Sequence, residues 1–225
     1  MERSGEEPGR CEERLEGVPK LFHLRCSPRA ASESSAGAEA FVSRFQQARP
    51  SWDIDQMDIW RETLPEFDGD ALEAKYARQS GQEFSGPQRD AFAALERMAM
   101  RFALADRVLI STPMWNFGIP YKLKQWFDLI VQPGLTFRFD PARGYFPLLQ
   151  NRPTVVIVAS GGDFVTGMNR GRIDMATPYL REALRFIGVS DVRFALIGPT
   201  AGPAASARLA REAALRQLVE MAASF

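Results

Sequence analysis

Residues 154–159 read Thr154-Val155-Val156-Ile157-Val158-Ala159, six positions filled by β-branched and small apolar side chains with no polar alternation. A strand wetted on one face alternates apolar with polar residues, so a run without alternation predicts a strand covered on both faces, as in a parallel sheet flanked by helices. Its neighbours along the chain support that sheet. Asp106–Thr112 carries Val108, Leu109 and Ile110 in one block and ends at Pro113, and Val192–Ile197 forms a last strand. Lys20–Cys26 is a short apolar run closed by Ser27-Pro28, predicted to sit centrally in the sheet. Trp52–Ile59 sets Trp52, Ile54 and Gln56 against Asp53, Asp55 and Met57, a weaker strand pattern.

Helical spacing separates these strands. Phe41, Val42 and Phe45 mark a helix over Ala36–Gln47, and Phe92, Leu95, Met98, Ala99 and Phe102 mark one from Pro87 to Leu104. Leu123, Trp126, Phe127 and Ile130 predict a helix within Ile119–Ile130, and two more are predicted over Asp174–Ile187 and Pro203–Ala223. Arg61–Gly86 reads as a polar surface excursion with a short helix over Asp70–Gln79, and Gly134–Gly144 as an extended excursion. Five strands alternating with helices predict an α/β fold: a doubly wound five-stranded parallel sheet, right-handed crossovers and helices on both faces. Ligands of such sheets bind beyond the carboxyl ends of the strands where strand order reverses, which places a site on the first, third and fourth strands.

With 225 residues the chain suits one large globular domain. Twenty-eight basic side chains balance 28 acidic ones, so no global field attracts nucleic acid or an anionic membrane surface, and a small apolar partner fits better. No apolar stretch approaches the roughly 20 residues that span a bilayer. Cys11 and Cys26 lie in unlike settings, so a disulfide framework is not expected and a reducing, cytoplasmic compartment is. Met1–Gly17 alternates glutamate, arginine and glycine without the apolar segment of a secretory signal. Residues 1–18 are therefore expected to be a disordered extension or an over-extended start, and 19–225 the domain. His23, the only histidine, lies within the first strand and is expected to be buried or on a sheet face, with no metal site visible.

Three segments occupy the strand ends. Cys26-Ser27-Pro28-Arg29-Ala30-Ala31-Ser32-Glu33-Ser34 brings hydroxyls to a helix N-terminus, which suits a phosphate, although serines there also serve as plain caps. Thr112-Pro113-Met114-Trp115-Asn116-Phe117-Gly118-Ile119-Pro120 offers a flat apolar wall around one amide, fit for a tricyclic ring. By composition alone, an apolar turn closing the core reads at least as well. Ala159-Ser160-Gly161-Gly162-Asp163 permits close backbone approach to a ligand or is an ordinary Gly-Gly turn. Cys26, beside a helix N-terminus, is either a reactive thiol or a small buried residue.

The run PMWNFGIPYKLKQWFDLIVQPGLTFRF, residues 113–139, resembles the flavin-contacting segment of FMN-dependent NADH azoreductases and the related NAD(P)H quinone reductases, a family of flavodoxin-like fold. The similarity extends from about Leu21 through the last helix. It implies that Ser27, Ser32 and Ser34 hold the FMN phosphate beside Glu33. It further implies that Pro113, Met114, Trp115, Asn116 and Phe117 line the isoalloxazine, and that Ala159, Ser160, Gly161 and Gly162 close its other edge. Three positions depart from the family's pattern: Cys26 stands for a frequent serine, Glu33 for a frequent glutamine, and Ala159-Ser160-Gly161-Gly162 for Ser-Arg-Gly-Gly. An inward Glu33 is expected to weaken FMN retention, and the missing arginine leaves the choice between NADH and NADPH open.

The implied activity is ping-pong two-electron reduction of quinones or azo compounds. NADH or NADPH delivers a hydride and leaves before the acceptor takes the same flavin face, so the flavin carries the chemistry and no catalytic side chain is assigned. The resemblance also implies a homodimer whose partner covers the flavin. Phe137, Phe139, Tyr145 and Phe146 are candidates for that interface, with local packing of a hairpin as the alternative. Other readings remain: an FMN reductase or general NAD(P)H dehydrogenase with another acceptor, a one-electron flavodoxin carrier, and a protein that has kept the fold but lost the flavin.

Overall fold

The computed structural model describes residues 17–166 and 171–225. Of the expected extension at 1–18, only Gly17 and Val18 fall inside it; Cys11 lies outside the described residues.

Strands β1 (Lys20–Arg25), β2 (Asp53–Asp58), β3 (Arg107–Pro113), β6 (Thr154–Ala159) and β7 (Val192–Ile197) form one sheet in the order β2-β1-β3-β6-β7. Every pairing in it is parallel. This is the flavodoxin-like order, with its switch point between β1 and β3. β1 is an interior strand, but the centre belongs to β3, a correction to the position expected for the first strand. Sequence periodicity identifies interior strands but does not order them.

The sheet separates two cores. Val156 and Val158 of β6 face one, with Phe22, Leu24 and Cys26, while Val155, Ile157 and Ala159 face the other, with Leu21. The unalternating β6 run is thus explained by burial on both sides. Helices α1 (Glu33–Ala48) and α6 (Ala204–Ser224) cover the second face through Phe41, Phe45 and Leu218. Helices α3 (Gly86–Ala103), α4 (Tyr121–Ile130) and α5 (Thr177–Phe186) cover the first, where Trp126 stacks on Phe22 at 6.2 Å and meets Phe102 edge-on at 5.4 Å.

Local signals set the helix ends. Ser85 and Gln88 form a capping box at the start of α3, with Pro87 in its first turn. Buried Arg152 closes the other end of α3, donating from Nη1 to the carbonyls of Phe102, Ala103 and Ala105 at 2.7–3.1 Å. The short helix in the polar excursion is present as α2 (Gly69–Ser80), capped by Asp68 and ended by left-handed Gly81. The acidic edge strand β2 is held from α3: Arg101 grips Asp55 bidentately at 2.8–3.2 Å and Glu62 at 2.9–3.0 Å.

Gly134–Gly144 is more than an extended excursion. It contains β4 (Phe137–Asp140), paired antiparallel with β5 (Gly144–Pro147). Of the interface candidates, Phe137 takes the alternative of local packing: it is buried and packs on Phe186 of α5 at 5.1 Å, because the hairpin folds back onto its own domain. Phe139 and Tyr145 stay exposed, at 44% and 57%. His23 is buried in β1, its Nε2 3.0 Å from the Ser111 hydroxyl.

Candidate functional site

The carboxyl ends of β1, β3 and β6 converge as expected, and the end of β7 joins them. Ser27, Arg29, Ser32 and Glu33 form one side of a cleft of about 300 Å³, Pro113, Met114 and Trp115 another, Ala159 and Gly161 a third, and Thr200 and Ala201 a fourth. Backbone bonds tie these ends together: Cys26 N–H donates to Ser111 at 2.8 Å, Met114 N–H to Ala159 at 2.7 Å, and Ser160 N–H to Ile197 at 2.9 Å.

The first side is built on the N-terminus of α1. Ser32 is the N-cap, its Oγ accepting the Ser35 N–H at 3.3 Å and standing 3.0 Å from the Ser34 hydroxyl. Ser27, Ser32 and Ser34 are all buried. Buried hydroxyls at a helix N-terminus, where unsatisfied amides and the dipole favour negative charge, make an anion cradle. Ser34 is fully buried and does not line the cleft; its contact with the cradle is the hydroxyl of Ser32. Arg29, at the exposed rim of the cleft, escaped the sequence reading.

Glu33 lines the cleft but does not confront it with a bare charge. Its carboxylate is held by Arg211 of α6, with Nε donating at 2.6 Å and Nη2 completing a bidentate pair. The expected penalty on an anion is therefore largely neutralised. The Cys26 alternative is also decided by burial: the side chain is fully enclosed, and desolvation, reinforced by the negative charge of Asp58, pushes the thiol well above its ordinary value. Cys26 is a small core residue and no thiolate.

Beyond Trp115 the chain makes a two-residue hairpin. Trp115 and Gly118 exchange N–H···O bonds at 2.9 and 3.0 Å, while Asn116 and Phe117 between them have φ of 48° and 72°. Positive φ at both central residues is the type I′ turn; asparagine tolerates it, but phenylalanine at the second position is strained by about 1–3 kcal/mol. Part of the restraint is visible: Met175 N–H donates to the Phe117 carbonyl at 2.9 Å. The turn aims Trp115 at the cleft and leaves Asn116 and Phe117 exposed at its lip, outside the wall in which they were expected.

On the β6 side, Ser160 and Gly162 also stand outside the wall. Ser160 Oγ donates to the Gly162 carbonyl at 2.8 Å, and the Ser160 carbonyl accepts from both Thr200 N–H at 3.0 Å and Thr200 Oγ1 at 2.9 Å. These residues shape the loop instead of lining the cleft. Thr200 and Ala201 were missed, although Gly198-Pro199-Thr200-Ala201-Gly202 follows a strand and the carboxyl-end rule applied to β7 would have included it. A Cβ on Gly198 would stand 2.7 Å from the Gly162 carbonyl oxygen, so the two loops can close only on glycine there.

A family model described as flavodoxin-like fold matches residues 19–221. Over 208 residues the chain is 70% identical to FMN-dependent NADH:quinone oxidoreductase 1 of Bradyrhizobium diazoefficiens, spanning 92% of this chain and all of that protein. Over 207 residues it is 39% identical to the FMN-dependent NADH:quinone oxidoreductase of Nitratidesulfovibrio vulgaris, spanning 91% and 99%. The azoreductase of Bacillus anthracis superposes with a TM-score of 0.83 over 92% of this chain and all of its own, a shared fold at 23% identity.

Proposed function

The chain belongs to the Flavodoxin_2 family of flavodoxin-like fold, and from this membership we propose that it is an FMN-dependent NADH:quinone oxidoreductase that also accepts azo compounds. The observation that carries the proposal is the single cleft in which the buried serines at the N-terminus of α1 face Trp115. An anion cradle and a flat aromatic wall in one cleft are what a phosphorylated tricyclic cofactor needs. The sequence identity to the two quinone oxidoreductases supports the same reading.

The donor set fits FMN. Ser27 and Ser32, with the first amides of α1, hold the phosphate, and Arg29 adds a cation at the rim. Pro113, Met114 and Trp115 form the wall for the ring system, and Ala159, Gly161, Thr200 and Ala201 close the opposite side. The backbone N–H of Gly161, in the cleft wall, offers a donor to its polar edge. Bound FMN supplies hydride acceptance and two-electron delivery, chemistry that belongs to the cofactor. The chain contributes position, and no side chain of the cleft is required as acid or base. NADH and the quinone would bind at the cleft in turn, so steady-state lines should be parallel. The chain acts as a cytoplasmic homodimer, supported by exposed Phe139 and Tyr145 on the hairpin and by the buried thiol of Cys26, which forms no disulfide among the described residues. Among the described residues no helix is long and apolar enough to cross a membrane.

The test is direct. The purified protein should be yellow, or become so with FMN, and should oxidise NADH with menadione and with an azo dye; NADPH assayed beside it sets the donor preference. A colourless protein that cannot be reconstituted refutes the proposal. Sedimentation analysis giving a monomer that holds FMN tightly refutes the dimer.

A further inference from the structure

Trp60 lies two residues beyond β2 and outside the cleft wall, yet its side chain touches the supports of both sides of the cleft. Its indole Nε1–H donates to the Cys26 carbonyl at 3.0 Å. That carbonyl immediately precedes Ser27, where the phosphate loop begins, and the Cys26 amide is already bound to Ser111 of β3. The same ring meets Trp115 with centroids 5.7 Å apart, and meets Tyr121, the first residue of α4, edge-on at 5.4 Å. Lys122 Nζ sits 5.3 Å from the ring centroid and donates to the Ile59 carbonyl at 3.2 Å, while the Trp60 amide is anchored on Asp58 Oδ1 at 2.9 Å.

We infer that Trp60 is a positioning residue: one hydrogen bond and one ring contact lock the phosphate loop after β1 to the aromatic wall after β3. The inference rests on the proposed FMN site and assigns its geometry to a residue outside the cleft wall. The strained turn after Trp115 makes such a lock useful. With Asn116 and Phe117 both at positive φ, the hairpin closes on itself, and Trp115 needs an outside contact to hold its plane toward the cleft. A rigid aromatic neighbour provides that contact, and its single N–H donor sets the distance from Trp115 to the phosphate loop.

Two variants separate the lock from simple core filling. Trp60→Phe keeps a ring against Trp115 and Tyr121 but has no donor for Cys26; Trp60→Leu loses both. FMN titration should give a Kd about fivefold higher for Trp60→Phe, the effect of one net hydrogen bond, and more than tenfold higher for Trp60→Leu. At saturating FMN the visible circular dichroism of the Trp60→Phe flavin should differ from wild type, a signature that lost stability alone does not produce. In the FMN-free proteins, amide hydrogen exchange should accelerate together in 27–32 and 115–118 and stay unchanged in β6. Wild-type Kd and visible dichroism in Trp60→Phe would overturn the inference, as would faster exchange spread evenly over the chain. A wild-type protein that binds no FMN would sink the functional proposal, and the exchange data would still decide whether the two loops are locked.

Discussion

Ser32→Asp separates the two tasks that meet at the start of α1. The serine hydroxyl caps the helix by accepting the Ser35 N–H, and it faces the proposed phosphate. Aspartate caps about as well as serine, and its charge suits a helix N-terminus. The FMN-free variant should therefore keep its stability to within about 1 kcal/mol, or about 2–4 °C in Tm for a domain of this size. A bound phosphate meets the opposite effect. A carboxylate about 4 Å away, at an effective dielectric near 20, repels each unit of phosphate charge by about 4 kcal/mol. A single unit of charge already predicts FMN binding about a thousandfold weaker. Ser32→Ala should behave differently, losing about 1 kcal/mol of cap energy together with one hydrogen bond to the phosphate. Thermal unfolding of the apoproteins and FMN fluorescence titration measure both quantities. Ser32→Asp with unchanged Tm and an FMN affinity within tenfold of wild type would place the phosphate elsewhere and refute the cradle.

Three further outcomes are expected. Arg211→Ala leaves the Glu33 carboxylate unneutralised at the cleft, so FMN Kd should rise several-fold and return toward wild type in Glu33→Gln/Arg211→Ala; equal titrations for all three proteins would show that the pair does not act on the site. Burial first, then the charge of Arg25, hold His23 at about 3, opposed by the neighbouring Gln56 side chain, which favours the protonated ring. The unfolded chain titrates near 6.5 and binds the proton that the native state refuses, so this contribution is intact above pH 6.5 and declines as pH falls toward 3. Between pH 7 and pH 4, urea unfolding of wild type should lose about 3 kcal/mol more than His23→Gln; parallel losses would mean that the folded ring accepts the proton. Trp126→Ala empties the space between Phe22 and Phe102 and should cost about 3–5 kcal/mol, or about 6–20 °C in Tm, with a drop under 2 °C contradicting the packing.

By itself the sequence determined the sheet and its helices, because each element writes its burial into neighbouring residues: β6 and β7 have the bounds that their apolar runs predict, and the helices follow the spacing of Phe41, Phe92 and Trp126. It also located three of the four loops at the cleft, since strand ends follow from strand runs. Tertiary structure alone decided what depends on residues far apart in the chain. Glu33 meets Arg211 across 178 positions, Trp60 bridges Cys26 and Trp115, and Phe137 turns inward onto Phe186. It also decided backbone states without a composition signal, such as the positive φ of Phe117 where glycine would be expected. Apolar periodicity reports that a side chain is buried, whereas the partner it is buried against is set by how distant elements pack.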